Sequence, residues 1–343
     1  MPTLTPQTLH TLTRDMFLAM GSAAPEAEAV AAHLVAANLA GHDSHGVGML
    51  PTYVRLHQEK RIVLNQELRT VVDAGPILVL DAQCGVGQRV TALAVDRACA
   101  RAVEIGVCLL AVRDAGHIGR MGTYGEQCAA RGLAFVAFAN VASGVQVQAI
   151  WGAAASSLGT NPFTVSVPRP GHQPVLLDMA TTAIAFGKAR VAHESGKPLP
   201  EGVAIDAQGH PTTDPTRLVE HREGALLSFG KHKGSGLAVM CELGAAMAGG
   251  LRADNSGTGG VTNSMLAFVF DPARLGADAG SVEAVCQHVT SGPVAPGHTT
   301  IQLPGDPERA TAARRTAHGI DLDAGSWAEI VAAAKSVGVA VPG

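Results

Sequence analysis

Apolar residues recur at helical spacing over the first sixty positions of the chain. Leu9, Leu12, Met16 and Met20 form one stripe, opened by Thr5 as N-cap and Pro6 at the first helical position. Pro25 opens a second helix whose apolar positions are Val30, Leu34, Val35, Ala37 and Leu39, and Gly41 reads as its C-terminal stop. After a polar connector with Asn65 the period changes. Short apolar runs at 77–80, 107–112, 133–140, Phe163–Val167, Val175–Met179 and 265–270 predict strands, whereas 88–105, 123–130 and 235–248 predict helices. The C-terminus returns to helix. Ser326-Trp327-Ala328-Glu329 is a capping-box pattern ahead of Ile330, Val331 and Val337.

Strand–helix alternation followed by long connections rich in Gly and Pro predicts an α+β fold with a mixed sheet flanked by helices. The helical ends of the chain are expected to pack together beside that sheet. This gives one unit from 1–70 with 306–343, and a second unit from 71–305.

Composition narrows the picture. With 343 residues the chain can bury a substantial core, but aromatic residues are only 3%, so Ala, Val, Leu and Ile must build it. A net charge of −4 argues against nucleic-acid binding through phosphate contacts. No apolar run reaches the ~20 residues of a membrane span. A polar, helix-starting N-terminus does not read as a secretory leader, and a soluble cytoplasmic protein is expected. The six cysteines form no C-x-x-C pair, and Cys108 sits in a buried strand pattern, so reduced, structural thiols are expected.

Candidate chemistry is scattered in islands. Gly41-His42-Asp43-Ser44-His45-Gly46-Val47 loads a loop with proton-transfer groups just after a helix. The same run could be a solvated turn or a cap, or His42 and His45 could share a metal. Gly116-His117-Ile118-Gly119-Arg120-Met121-Gly122 follows an apolar strand. Its glycines would let backbone amides approach a phosphate, although G-x-G-x-x-G occurs nowhere and a tight turn explains it equally well. Gly159-Thr160-Asn161-Pro162 could orient a small substrate or simply turn a hairpin. Asp178, at the end of Leu176-Leu177-Asp178-Met179-Ala180, could cap a helix or hold an imidazole. Lys231-His232-Lys233-Gly234 suits an anion or a solvated surface, and Gly305-Asp306-Pro307-Glu308 alone is a turn.

Taken together and in order, these islands resemble the malate/L-lactate dehydrogenase family of type-2 enzymes, which includes sulfolactate dehydrogenases. The resemblance runs nearly end to end through GHDSHGVGM, GHIGRMG, GTNPF, LLDMATTAIAFGKAR, KHKGSGLAVMCE, LPGDPE and DAGSW. It implies a homodimer with a non-Rossmann NAD(P)-binding domain on a largely antiparallel sheet. It further implies hydride transfer between NAD or NADP and a 2-oxo acid/2-hydroxy acid pair. His45 would exchange the proton, with Ser44 and Asp178 as relay partners, and His117 competes for that role. Cofactor contacts would fall on His45, Gly119, Arg120, Met121, Leu176, Leu177, Asp178, Met179, Ala180, His232, Asn263, Gly305, Asp306, Pro307 and Glu308. Thr160 would touch the substrate.

One departure stands out. Where several relatives carry an arginine four residues after the histidine, this chain has Met49. The substrate carboxylate would then fall to Arg120, and Met49 would admit a larger apolar substituent. From the residues alone, a metal-dependent hydrolase using His42 and His45 remains the alternative reading.

Overall fold

The computed structural model describes residues 2–142, 146–250, 261–276 and 278–341. Helix α1 (Pro6–Met20) begins where Thr5 Oγ accepts from the Thr8 amide at 3.1 Å, and it ends at Gly21 in the left-handed region. α2 (Ala24–Leu39) and α3 (Leu50–Gln58) follow. Leu9, Met16, Val30, Leu34 and Tyr53 from these helices are buried with Ile330 and Ala334 of α10 (Ala324–Ser336). This helical core therefore draws on both ends of the chain. A two-stranded ribbon of β1 (Thr3–Leu4) and β12 (Ile320–Asp321) ties the ends together, and α9 (Asp306–His318) rests on α2.

The second core surrounds a seven-stranded sheet. Its strands are β2 (Arg69–Ala74), β3 (Ile77–Asp81), β4 (Val107–Gly116), β5 (Ala134–Ala139), β6 (Phe163–Val167), β7 (Val175–Met179) and β11 (Thr262–Phe270). The order across the sheet is β2-β3-β4-β11-β5-β6-β7. Only β3 and β4 are parallel, joined by the crossover helix α4 (Gly87–Ile105); every other neighbouring pair is antiparallel. Period-2 alternation splits the faces. Phe135, Ala137, Met265 and Ala267 are buried with Val90 and Ala94 of α4 and with Tyr124 of α5 (Gly122–Ala129). Phe138 and Leu266 face Gly244 of α7 (His232–Met247) on the other side.

Two features differ from the sequence expectation. β2 was not expected, because all six of its residues are exposed and its pattern carries no burial signal. A small sheet of β8 (Ala204–Ile205), β9 (Pro211–Thr212) and β10 (Ala225–Leu226), in the order β10-β8-β9, was also not expected. It shares a satellite core of Ala189, Leu199, Leu218 and Leu226 with α6 (Phe186–Glu194). Strands of two residues leave no periodicity to read.

Candidate active site

After α2 the backbone turns at Gly41 (φ 84°) and runs through two 3-10 turns, Asp43–His45 and Val47–Met49. Asn38, in the last turn of α2, organises both. Its Nδ2 donates to Asp43 Oδ1 at 2.7 Å, and its Oδ1 accepts from the Val47 amide at 2.8 Å. The fit requires glycine at 46, where a Cβ would lie 2.2 Å from Asn38 Oδ1. Arg315 of α9 pins Asp43 from outside at 2.6 Å. Thus clamped, the loop presents Ser44 and His45, with Ser44 Oγ 3.1 Å from His45 Nδ1.

His117 arrives from the end of β4 and stacks on His45, with centroids 5.4 Å apart and planes 17° from parallel. Its Nδ1 lies 2.6 Å from Tyr53 Oη, and Gln88 Nε2 donates to the same hydroxyl at 2.6 Å. Burial pushes the His45 pKa down to about 4; Asp178 pulls it back up, while His42 and Arg120 press it lower. His117 is held well below its ordinary value by burial and by the neighbouring His45 and His33. Both rings are therefore neutral at pH 7.

The His45 ring opens on a cavity of about 740 Å³ between the helical core and the sheet. Ser44, His45, Pro307 and Glu308 line it from the helical side, with His42 Nε2 3.6 Å from Glu308 Oε1. Gly119, Arg120 and Met121, then Thr160, then Asp178, Met179 and Ala180 line it from the sheet side. The structure thus brings together residues from five of the islands.

Several expected roles are corrected. Asp178 makes no hydrogen bond to His45. Its Oδ2 accepts from the Gly122 amide at 2.7 Å, and its Oδ1 accepts from Thr164 at 2.9 Å, so it caps α5 across space. Its charge reaches His45, but Ser44 is the direct partner. Arg120 is not a free cation for a substrate carboxylate: its terminal nitrogens bind Glu126 bidentately at 3.0 Å, and Asp178 lies 3.7 Å from Nε. A guanidinium this buried needs a counter-charge in place. Burial opposes its charge, and Glu126, Asp178 and Glu308 more than compensate. Met49 packs against the helical core while Gly48 lines the cavity, because three residues per turn send neighbouring side chains in different directions.

Other expected contacts lie off the cavity wall. Leu176 is buried under Gly125 of α5, and Leu177 alternates to the opposite face of β7. Asn263 is buried, accepting from the Ile118 amide at 3.0 Å and donating to the Asn140 carbonyl at 2.6 Å; it staples the loop that carries His117. His232 starts α7 and meets Trp151, not the cavity. Gly305 (φ 95°) turns the chain into α9, and Asp306 spends its carboxylate on the Leu303 amide and Arg309. His117 itself sits behind His45 instead of on the wall. His42 and His45 have separate partners, and among the described residues no group of three metal-ligating side chains gathers around them.

The sequence reading missed His33, Tyr53, Gln88, Glu126 and Lys188. His33 accepts from the Arg120 amide at 2.9 Å, and burial followed by the charges of Arg120 and His45 lowers its pKa to about 3. On the apolar stripe of α2 it looks like any core histidine. Gly119 (φ 73°) could not carry a side chain there, since a Cβ would lie 2.4 Å from His33 Nε2. The Gly87-Gln88 pair at the start of α4 was the available signal for Gln88. Lys188 borders the cavity from α6, whose Gly187 abuts Ser44.

The model of a family described as malate/L-lactate dehydrogenase matches residues 4–331. The chain is 41% identical to hydroxycarboxylate dehydrogenase B of Escherichia coli (strain K12) over 340 residues, which is 97% of this chain and 94% of that protein. It is 37% identical over 338 residues to an L-lactate dehydrogenase of Cupriavidus necator, covering 96% and 97% of the two chains. Its fold matches that of the sulfolactate dehydrogenase from Methanocaldococcus jannaschii with a TM-score of 0.89 at 27% identity, over 99% and 98% of the two chains.

Proposed function

The chain belongs to the malate/L-lactate dehydrogenase family, and from that premise we propose that it is an NAD(P)-dependent 2-hydroxy-acid dehydrogenase acting on a 2-oxo acid/2-hydroxy acid pair. The observation that carries the reading is the placement of His45. Its Nδ1 is held by Ser44, its ring faces a large cavity, and charged groups surround it without bonding to it directly. The relatives named above are dehydrogenases, which does not favour the hydrolytic alternative.

The cavity wall fits a dinucleotide. Its volume is within the range of small-molecule sites. The buried Arg120 Nε on the wall has no hydrogen-bond partner. The helices α6 and α9 begin beside the cavity, and neither has a side-chain cap on its first amides. We assign Arg120, Met121, Met179, Ala180, Pro307 and Glu308 to the cofactor, and Thr160 to the substrate. With Arg120 neutralised, Lys188 and Arg190 are the remaining Arg and Lys side chains among the described wall residues, and Lys188 is assigned to an anionic group of either ligand.

Hydride supply is the chemistry of the nicotinamide when bound. What the chain provides is a proton site and an orientation. Taking the substrate proton at Nε2 requires a lone pair there, so this reading puts the ring hydrogen on Nδ1, with Ser44 Oγ, 3.1 Å away, as its acceptor. Neutral His45 takes the substrate hydroxyl proton at Nε2 during oxidation and returns it during reduction. The helical unit (1–70 with 306–343) and the sheet unit (71–305) would be the two domains, meeting at this cavity. A homodimer would cover the exposed apolar residues Met240, Leu243 and Met247 of α7.

Titration with NADH and NADPH, read by nicotinamide fluorescence, tests the reading together with His45→Ala. The expected result is saturable binding by both forms, and a kcat for the variant lower by ~10²–10⁴-fold on a panel of 2-oxo acids. Absence of nicotinamide binding to the wild type would overturn it.

A further inference from the structure

The imidazoles of His45 and His117 stack 5.4 Å apart, and different partners hold their edges. Gln88 and Tyr53 are both 1% exposed. Gln88 Nε2 donates to Tyr53 Oη, and Tyr53 Oη has one other partner among the described residues, His117 Nδ1. A phenol has a single proton. With one lone pair taken by Gln88, that proton goes to His117 Nδ1, so the ring hydrogen of His117 sits on Nε2.

The orientation of the Gln88 amide decides the direction of this chain. With Nε2 on Tyr53, its Oε1 is buried without a partner. Turning the amide over would put its NH₂ in that partnerless position, stranding donors where now only an acceptor is stranded. It would also remove the donor that orients Tyr53. The observed orientation is the less costly one. The start of α4 is also fixed against the His117 loop, because a Cβ on Gly87 would lie 2.2 Å from the Gly116 and His117 carbonyl oxygens. Gln88 is therefore held at one distance from the imidazole it controls. No hydrogen-bond partner of His117 Nε2 is found among the described residues.

We infer that Gln88 and Tyr53 are positioning residues that lock His117 as a neutral Nε2–H donor, leaving proton transfer to His45. The two rings then carry opposite tautomers. His45, with Nδ1–H on Ser44, offers a lone pair at Nε2, whereas His117, with Nδ1 filled by Tyr53, offers a hydrogen there. His45 takes the substrate proton while His117, behind it, stays a neutral Nε2–H ring, so two adjacent charges never form. The assignment rests on the dehydrogenase reading for its purpose but not for its test.

The test is the imidazole ¹⁵N spectrum of the full-length, ligand-free protein labelled at histidine, with His117 assigned by the signals lost in His117→Gln. The wild type is expected to show the Nε2–H tautomer at His117, with no titration from about pH 8 to about pH 6. Tyr53→Phe removes the lock at nearly constant volume. It should give averaged nitrogen shifts at His117 and a kcat lower by about tenfold at similar KM, the size of one lost hydrogen bond. Gln88→Glu should reverse the chain. A carboxylate would draw the phenol proton to itself, the phenol oxygen would then accept from His117 Nδ1–H, and the signature would switch to Nδ1–H with a comparable loss of kcat. A wild-type His117 in the Nδ1–H form, or one whose signals do not move in folded Tyr53→Phe, would overturn the inference. Loss of nicotinamide binding with the spectra as expected would count against the dehydrogenase reading alone.

Discussion

Asp178 and Gly122 are joined by a 2.7 Å hydrogen bond from the first amide of α5 to a carboxylate on β7. The same carboxylate faces the Arg120 guanidinium and raises the affinity of His45 for its proton. One acid thus caps a helix, balances a buried cation and supports an imidazolium. Those three tasks separate in experiment.

Asp178→Asn is expected to lower both Tm and activity. Asparagine can still accept from the Gly122 amide and donate to Thr164 Oγ, so the cap survives, and the loss of stability comes from the counter-charge removed from the buried Arg120. Reduction, which needs the imidazolium, should suffer more than oxidation. Thr164→Val removes the other partner of the carboxylate and should lower Tm while leaving the ratio of the two directions unchanged. Thermal melts and initial rates in both directions check this. An Asp178→Asn enzyme with full rates in both directions would confine the residue to capping.

The depressed histidines set the pH dependence. For the 2-hydroxy acid, kcat/KM requires neutral His45, whose pKa is lowered from 6.5 to about 4 by burial. The profile should stay flat through 6.5 and fall only towards pH 4. Stability follows the same sign. His33, lowered to about 3, and His45 bind protons in the unfolded chain near 6.5 but not in the folded one. Their contribution is complete above 6.5 and is lost as pH falls from there through 4 to 3. Tm should decline across that window, and His33→Gln, which has no proton to gain, should flatten the slope. A kcat/KM break at pH 6.5 would mean that the His45 environment is wet.

Substrate preference should not depend on Met49. Its side chain packs on the helical core, beside Gly48 on the cavity wall. Met49→Leu is expected to leave the ratio of kcat/KM for phenylpyruvate-type and small 2-oxo acids unchanged. Met49→Arg should lower the free energy of unfolding by about 1–3 kcal/mol, for a charge forced against apolar packing, and Tm with it, again without changing the ratio. A shift of Met49→Arg towards pyruvate or oxaloacetate would put position 49 back at the substrate.

Much of this molecule was determined by sequence alone. The central strands were legible because Val107 to Val112 and Met265 to Phe270 are unbroken apolar runs too short for a helix, and the terminal helices because one buried face repeats every three to four residues. The His42 to Val47 loop, the His117 loop and the Thr160 turn were legible as well, since glycines at fixed offsets around polar groups leave a local signature.

What tertiary structure decided is where those pieces meet. β11 inserts between β4 and β5, far from both in the chain, because its alternating faces fit α4 on one side and α7 on the other. Arg120 found Glu126 and Asp178, because a buried cation must be neutralised by whichever carboxylates the fold brings near. His33, Tyr53 and Gln88 look like ordinary interior residues in their own helices. Their roles exist only across space, where a polar group deprived of water must pair with whatever the packing supplies, and no local pattern encodes that partner.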